Sequence, residues 1–217
     1  MVVRGVFEKT YTCCSGDVGS VGCCNAPTHV SAPFDPDDAT GYTSTMDKGG
    51  QQRDVYALDC EMCYTTAGTE LTRLTVIGPR LQVVHDTFVK PTNPILDYNT
   101  RYSGITKEDL QDCSVSLLDV QCWMLENFSK DTILIGHSLD SDLRALKLIH
   151  RNVVDTSVVF PHKRGPPYKK ALKTLCGELL KKIIQEDVNG HDSAEDARSC
   201  MELMLMRVKE DIKKIIR

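Results

Sequence analysis

The sequence predicts an α/β fold, a mixed five-stranded sheet flanked by helices and preceded by a Cys-rich segment. Three observations carry this. Strand-like segments follow one another at residues 55–60, 70–77 and 82–89. An apolar strand at 132–135 runs through a Gly-His turn into a helix, and amphipathic helical periodicity fills most of the remainder. Successive strands imply an antiparallel meander, and the later strand–turn–helix units add parallel strands under a cover of helices.

Residues 1–30 carry Cys13, Cys14, Cys23 and Cys24 in a tight cluster, while the other six of the ten cysteines scatter among apolar segments. Arg4, Glu8 and Lys9 interrupt any apolar core at the start, so these residues do not read as a secretory signal. The expected compartment is a reducing one, where clustered cysteines suggest metal and scattered ones small buried hydrophobes. Cys14, Cys23 and His29 with one further cysteine form a candidate structural zinc site. Adjacent cysteines rarely share a metal, so Cys13 or Cys14, and Cys23 or Cys24, stay open, and a tail of reduced cysteines is the alternative. Residues 31–53, rich in Pro, Asp, Gly, Ser and Thr without apolar periodicity, read as a linker.

A domain is expected over residues 54–210, with 211–217 as the end of its last helix. After the third strand, Thr106 and Asp109 form the capping pattern of a short helix. A helix over 117–128, the strand at 132–135, His137 in a turn and a helix over 140–150 follow. A strand at 153–159, a basic loop, a helix through 172–185 and a last helix from about residue 194 complete the chain.

A chain of 217 residues and 24.2 kDa suits one domain with an appendage. Mean hydropathy of −0.25 and the lack of any apolar run near roughly 18 residues give no membrane span. The net charge of −4 is not the footprint of a protein that grips phosphate backbones, so the acids need a local role.

Three places could supply it. Asp59 and Glu61 stand two apart on an apolar strand, so the pleat turns both carboxylates to one face. Their Cα atoms would lie roughly 6–7 Å apart, a span that can share two divalent ions about 3.5–4 Å apart. An Asp-x-Glu pair is expected about once by chance in so acidic a chain, and a solvated acidic turn is the plain alternative. On the helix after His137, Asp142 borders the apolar stripe of Leu139, Leu143, Leu146 and Ile149, whereas Asp140 sits where an acid often only caps. Asp142 is therefore favoured, with a surface ion pair as its alternative. At the last helix, Ser193 and Asp196 form a capping pattern above a stripe of Ala194, Ala197, Met201, Met204, Leu205 and Val208. His191, on a glycine-flanked loop, and Asp196 can converge there, the imidazole as proton acceptor and the carboxylate as metal ligand.

The order of these motifs is more specific than any one of them. YALDCEMCYTTAGTELTRLTVIG, DYNTRYSGIT, GHSLDSDLRALKLIH and GHDSAEDA resemble the RNA exonuclease 1 family of the DEDD superfamily, in its subgroup with a catalytic histidine. The resemblance spans residues 54–210 and implies a ribonuclease H-like fold. It also implies 3′→5′ hydrolysis of RNA 3′ ends to nucleoside 5′-monophosphates, with Asp59, Glu61, Asp142 and Asp196 holding two Mg²⁺ (or Mn²⁺) and His191 as general base. The segment YTCCSGDVGSVGCC resembles the Cys-rich stretch that precedes the nuclease domain in longer relatives. A nuclear location follows by resemblance alone, with nucleolar or cytoplasmic placement as alternatives.

The loop over 97–106 is expected to line the substrate cleft, with Arg101 on a phosphate and Tyr102 stacked on a base; Met62 and His137 are further substrate candidates. Lys163, Arg164, Lys169, Lys170 and Lys173 around Tyr168 form a candidate RNA-tracking surface. The competing readings are a catalytically silent RNA-binding or protein-interaction module on the same fold, and a DNA-directed 3′→5′ exonuclease.

Overall fold

The structure, a computed structural model, describes residues 39–49, 54–186 and 190–216 together with Asp17 and Ser20. Its strands are β1 (Thr43–Ser44), β2 (Val55–Thr65), β3 (Gly68–Ile77), β4 (Val83–Phe88), β5 (Ile95–Asp97), β6 (Ile133–Gly136), β7 (Leu148–Ile149) and β8 (Val153–Asp155). The helices are α1 (Thr100–Ser103), α2 (Lys107–Gln111), α3 (Leu117–Asn127), α4 (Asp140–Ala145), α5 (Thr156–Val159), α6 (Leu172–Leu175) and α7 (Ser193–Ile215), with a π-helical turn over Cys176–Leu180 between the last two.

The main sheet runs β4-β3-β2-β6-β8, and β5 adds a sixth strand against the far end of β2. The β2–β3 and β3–β4 pairs are antiparallel, as a meander requires, whereas β2–β6 and β6–β8 are parallel. The mixed α/β sheet is thus as expected, with one strand more. β5 was hidden in the loop after β4 because its pairing, Tyr64 with Asp97 and Thr65 with Ile95, is entirely non-local.

Central β2 is covered on both faces. Leu58 and Cys60 join Leu74, Val76, Val120, Met124, Phe128 and Leu146 in a core under α3 and α4. Ala57 and Ile77 meet Leu175, Ala197, Cys200, Met201 and Leu203 of α6 and α7 on the other side. Alternation along β2 therefore sends Asp59 and Glu61 towards α7.

Several boundaries differ from expectation. β2 continues to Thr65, so Asp59 and Glu61 lie within the strand rather than at its end, because the β3 hairpin pairs with it as far as Thr65. The predicted helix over 140–150 stops at Ala145: Lys147 turns at φ 46°, and Leu148–Ile149 becomes a strand, which leaves Ile149 exposed and buries Leu148 and His150. The predicted strand over 153–159 ends at Asp155, whose carboxylate accepts the Ser157 N–H and starts α5. The helix expected over 172–185 widens after Leu175 into the π-helical turn and ends at Lys181, φ 57°. On α7 the cap is Asp192, which accepts the Ala194 N–H, while Ser193 is buried beneath it.

Part of the stretch read as a linker is docked. β1 pairs in parallel with β7, Thr45 Oγ1 meets Nδ1 of buried His150 at 2.8 Å, and the Lys130 N–H donates to Met46 O at 2.9 Å. The segment is also held by the Asp47–Lys130 ion pair at 2.6 Å and by the bond from Lys48 Nζ to Glu126 O at 2.7 Å; composition gives no sign of this, since every partner is distant in sequence. Cys13, Cys14, Cys23, Cys24 and His29 lie outside the described residues.

Candidate active site

The site forms where β2 passes beneath the start of α7 and beside α4. Each element delivers its acid for a local reason. The pleat of β2 presents Asp59 and Glu61 together. α4 starts directly after a turn in which Ser138 adopts φ 56°, and this aims Asp142 back at the sheet, where its Oδ1 accepts the Cys60 N–H at 2.9 Å. The Asp192 cap fixes the start of α7, so Asp196 falls on its buried side one turn later.

Glu61, Asp142 and Asp196 are 7%, 4% and 5% exposed, and Asp59 is half-buried. Four acids so placed disfavour ionisation. Burial together with the charges of Asp142, Asp196 and Glu61 pushes Asp59 well above the ordinary carboxylate range. Burial and the nearby Asp196 raise Glu61 to about 9, against the opposing pull of Arg73. Burial also lifts Asp142 to about 7 despite its bond from Cys60, and Asp196 to about 6 despite its bond from Gln185.

Two buried carboxylate oxygens, Glu61 Oε1 and Asp196 Oδ1, have no hydrogen-bond partner among the described residues. Unpartnered buried carboxylate oxygens are costly, and hard divalent cations are the partners that suit them. Among the described residues no three His, Cys, Asp or Glu side chains are gathered around a single point as ligands. The fit to cations thus rests on the donor chemistry and the orphaned oxygens.

His191 is about one-third exposed, with Nδ1 3.9 Å from Asp196 Oδ2. Burial and then the positive charge of Lys173 lower its pKa, so the ring is neutral near pH 7 and able to accept a proton. Its backbone N–H donates to Tyr102 O at 3.0 Å, and the two rings meet edge to face at 6.4 Å. Gly190 allows this approach: at φ 119° it lies so near α1 that a Cβ would collide with the Gly104 backbone and the Thr100 carbonyl.

The remaining candidates are placed as follows. Tyr102 is 51% exposed beside His191, with the Arg101 guanidinium 5.8 Å from its ring centre. Half-buried Met62 packs against the core under α3 and α4. His137 is tied to Thr156 Oγ1 at 2.9 Å. Lys169 pairs with Asp140 at 3.2 Å and Lys170 with Glu178 at 2.7 Å, and both line an open cavity of about 390 Å³ with His162, Lys163 and Thr174. Asp140, on the surface and also paired with Arg144, takes no place among the four acids.

Sequence reasoning missed Gln185. Its side-chain amide donates to Asp196 Oδ2 at 2.7 Å and its backbone N–H to Glu195 Oε2 at 2.9 Å, a placement made by the early end of the helix expected over 172–185. No motif marks it, because a glutamine in a polar stretch carries no periodic signal.

A family described as Exonuclease matches residues 56–204, which contain all five of these groups. The human RNA exonuclease 1 homolog is 54% identical over 97% of this chain. The chain belongs to the exonuclease family. The yeast RNA exonuclease 1 (Saccharomyces cerevisiae) is 44% identical over 81% of the chain. This chain spans 17% of the length of the human relative and 32% of that of the yeast one. Among solved structures, the Neurospora crassa Pan2 catalytic unit matches with TM-score 0.65 and 26% identity over 83% of this chain and 32% of its own. The Saccharomyces cerevisiae Pan2 pseudoubiquitin hydrolase-RNA exonuclease module in complex with AAGGAA RNA matches with TM-score 0.66 and 26% identity, over 79% of this chain and 31% of its own. The family and the ribonuclease H-like exonuclease fold implied by the motif order are those found.

Proposed function

We propose that this exonuclease domain is a divalent-metal-dependent 3′→5′ exoribonuclease that releases nucleoside 5′-monophosphates. The observation that carries the reading is the set of four mutually repelling acids, two of them with a buried unpartnered oxygen, beside a neutral histidine. Asp59, Glu61, Asp142 and Asp196 would hold two Mg²⁺ (or Mn²⁺), which when bound supply a charge clamp for the scissile phosphate and lower the pKa of water.

The protein's own groups do the rest. The four carboxylates give up their raised pKa values and ionise when cations neutralise them. His191 accepts the proton of the attacking water; with Nδ1 turned towards Asp196, the proton arrives at Nε2. Tyr102 offers a ring for the terminal base and Arg101 a positive charge for a phosphate. Lys163, Lys169 and Lys170 of the loop before α6, with Lys173 on α6, follow the RNA backbone and supply locally the positive field that a net charge of −4 lacks.

The test uses 5′-labelled RNA and matched DNA with Mg²⁺ or with EDTA. The expected result is a ladder shortened from the 3′ end, lost in EDTA and weaker on DNA. Binding without hydrolysis would instead mark a silent module, and equal DNA cleavage a DNA-directed enzyme. Activity that survives Asp59→Ala or His191→Ala would defeat the mechanism.

A further inference from the structure

Contacts behind the four acids carry an assignment that rests on the exonuclease reading. Arg73 on β3 stands opposite Glu61 in the strand register, beside the irregularity that follows Glu61. Its Nε and Nη2 donate to Oδ1 and Oδ2 of Asp86 on β4 at 2.8 and 2.7 Å, a two-pronged grip, while Nη1 donates to Asp192 Oδ1 at 3.1 Å. The guanidinium also lies 5.6 Å from the Phe88 ring centre. Asp192 is the α7 cap, and the same Oδ1 accepts the Ala194 N–H at 3.1 Å.

Two residues along β3 the connection repeats. Thr75 Oγ1 donates to Asp86 Oδ1 at 3.1 Å, and the hydroxyl of fully buried Ser193 lies 2.7 Å from that same Thr75 Oγ1. Two side-chain bridges that share one carboxylate therefore tie residues 192 and 193 to the sheet. Those residues sit between His191 and Asp196, so the bridges set where both groups stand relative to Glu61.

We propose that Arg73, braced by Asp86, is a positioning residue for hydrolysis that fixes the Asp192 cap to the sheet and thereby holds His191 and Asp196 against Glu61. A lysine keeps the charge but cannot grip Asp86 with two prongs and reach Asp192 as well. The fold itself does not hang on this ion pair, because Ala197, Cys200 and Met201 bury the face of α7 independently. Misplacement of catalytic groups by about 1 Å costs on the order of 100-fold in rate, so a loss of turnover exceeds any loss of folding.

The test measures kcat and KM of Arg73→Lys, Asp192→Asn and the double variant on a 3′-hydroxyl oligoribonucleotide in saturating Mg²⁺. Asparagine caps helices well, so Asp192→Asn cuts the ionic tie and keeps the cap. Each single variant is expected to lose roughly 10- to 100-fold in kcat with KM within about threefold. The double variant should be no more than about threefold worse than the poorer single, because both changes cut one tie. Parent-like kcat in either single, or losses that multiply in the double, overturns the proposal. Amide hydrogen exchange at residues 192–196 provides a readout without turnover: faster exchange in Arg73→Lys supports the clasp, and parental exchange overturns it. A parent protein inert towards RNA sinks the exonuclease reading and with it the catalytic half of this assignment, while exchange still decides the clasp.

Discussion

Asp155 and the acids around β2 lie at the same end of the parallel strands, yet the fold treats them in contrary ways. Asp155 is half-buried and fully served: its carboxylate accepts the N–H groups of Ser138 at 3.0 Å, Leu139 at 3.2 Å and Ser157 at 2.8 Å. Burial would raise its pKa, but the bonds from Ser157 and Ser138 outweigh that and hold it below the usual carboxylate value. Glu61 and Asp196 each bury an oxygen with no partner among the described residues, and both they and their neighbours Asp59 and Asp142 are raised. The same side-chain type thus serves as a structural joint where backbone donors surround it, and as a site for something cationic where they do not.

Neutralising a member of the second group breaks this contrast most sharply. Asp142→Asn and Asp59→Asn are expected to lower RNA hydrolysis by about a thousandfold or more, since each removes a charge on which the cation-dependent chemistry depends. The metal-free melting temperature should stay the same or rise, because asparagine is neutral, as burial already favours for both carboxyl groups. Hydrolysis assays and melts in EDTA measure the two effects side by side.

Cations should stabilise the protein. Mg²⁺ or Mn²⁺ at a hundredfold excess over its Kd contributes about 2.7 kcal/mol. For a chain of this size that is a rise of roughly 5–10 °C in Tm. Thermal melts with and without EDTA would show it, and Asp142→Asn should cut the shift.

The pH dependence comes next. In the metal-free protein the folded state holds Glu61 to about pH 9, Asp142 to about 7 and Asp196 to about 6, so above the unfolded values near 4 it binds more protons than the unfolded chain. Stability should therefore fall as pH rises from 5 to 9, and saturating Mg²⁺ should flatten the slope. Asp155 acts in the reverse sense: its contribution is present above its unfolded value and is lost as pH falls through its lower folded one, a loss that Asp155→Asn would not show. Denaturant titrations across pH read both.

The smallest effect is expected at Asp140. Its pairs with Arg144 and Lys169 are exposed, so Asp140→Asn should leave Tm within about 2 °C and hydrolysis within about twofold. A large loss of activity there would erase the distinction between Asp140 and Asp142.

Much of this molecule was legible from local pattern. The meander, the buried strand at 132–135, the Thr106 capping box and the long last helix follow from periodicity and capping chemistry, and all are present. The boundaries that moved did so where distant chain intervened. β2 outruns its own apolar run because β3 and β5 pair with it, and α4 ends early where residues 43–44 pair with β7.

By itself, the sequence determined which acids are close to one another along the chain and what each strand or helix does with them: one face for Asp59 and Glu61, an apolar border for Asp142, a helix start for Asp196. Only the tertiary structure decided that these four lie near enough to repel one another and that Glu61 and Asp196 each keep a buried oxygen without a partner among the described residues. It also brought Gln185 to Asp196, and it clasps Arg73 to Asp192 across a separation of 119 residues. The reason is physical. Periodicity and capping are written within a few residues, whereas desolvation and hydrogen-bond pairing depend on which distant segments a side chain finally faces.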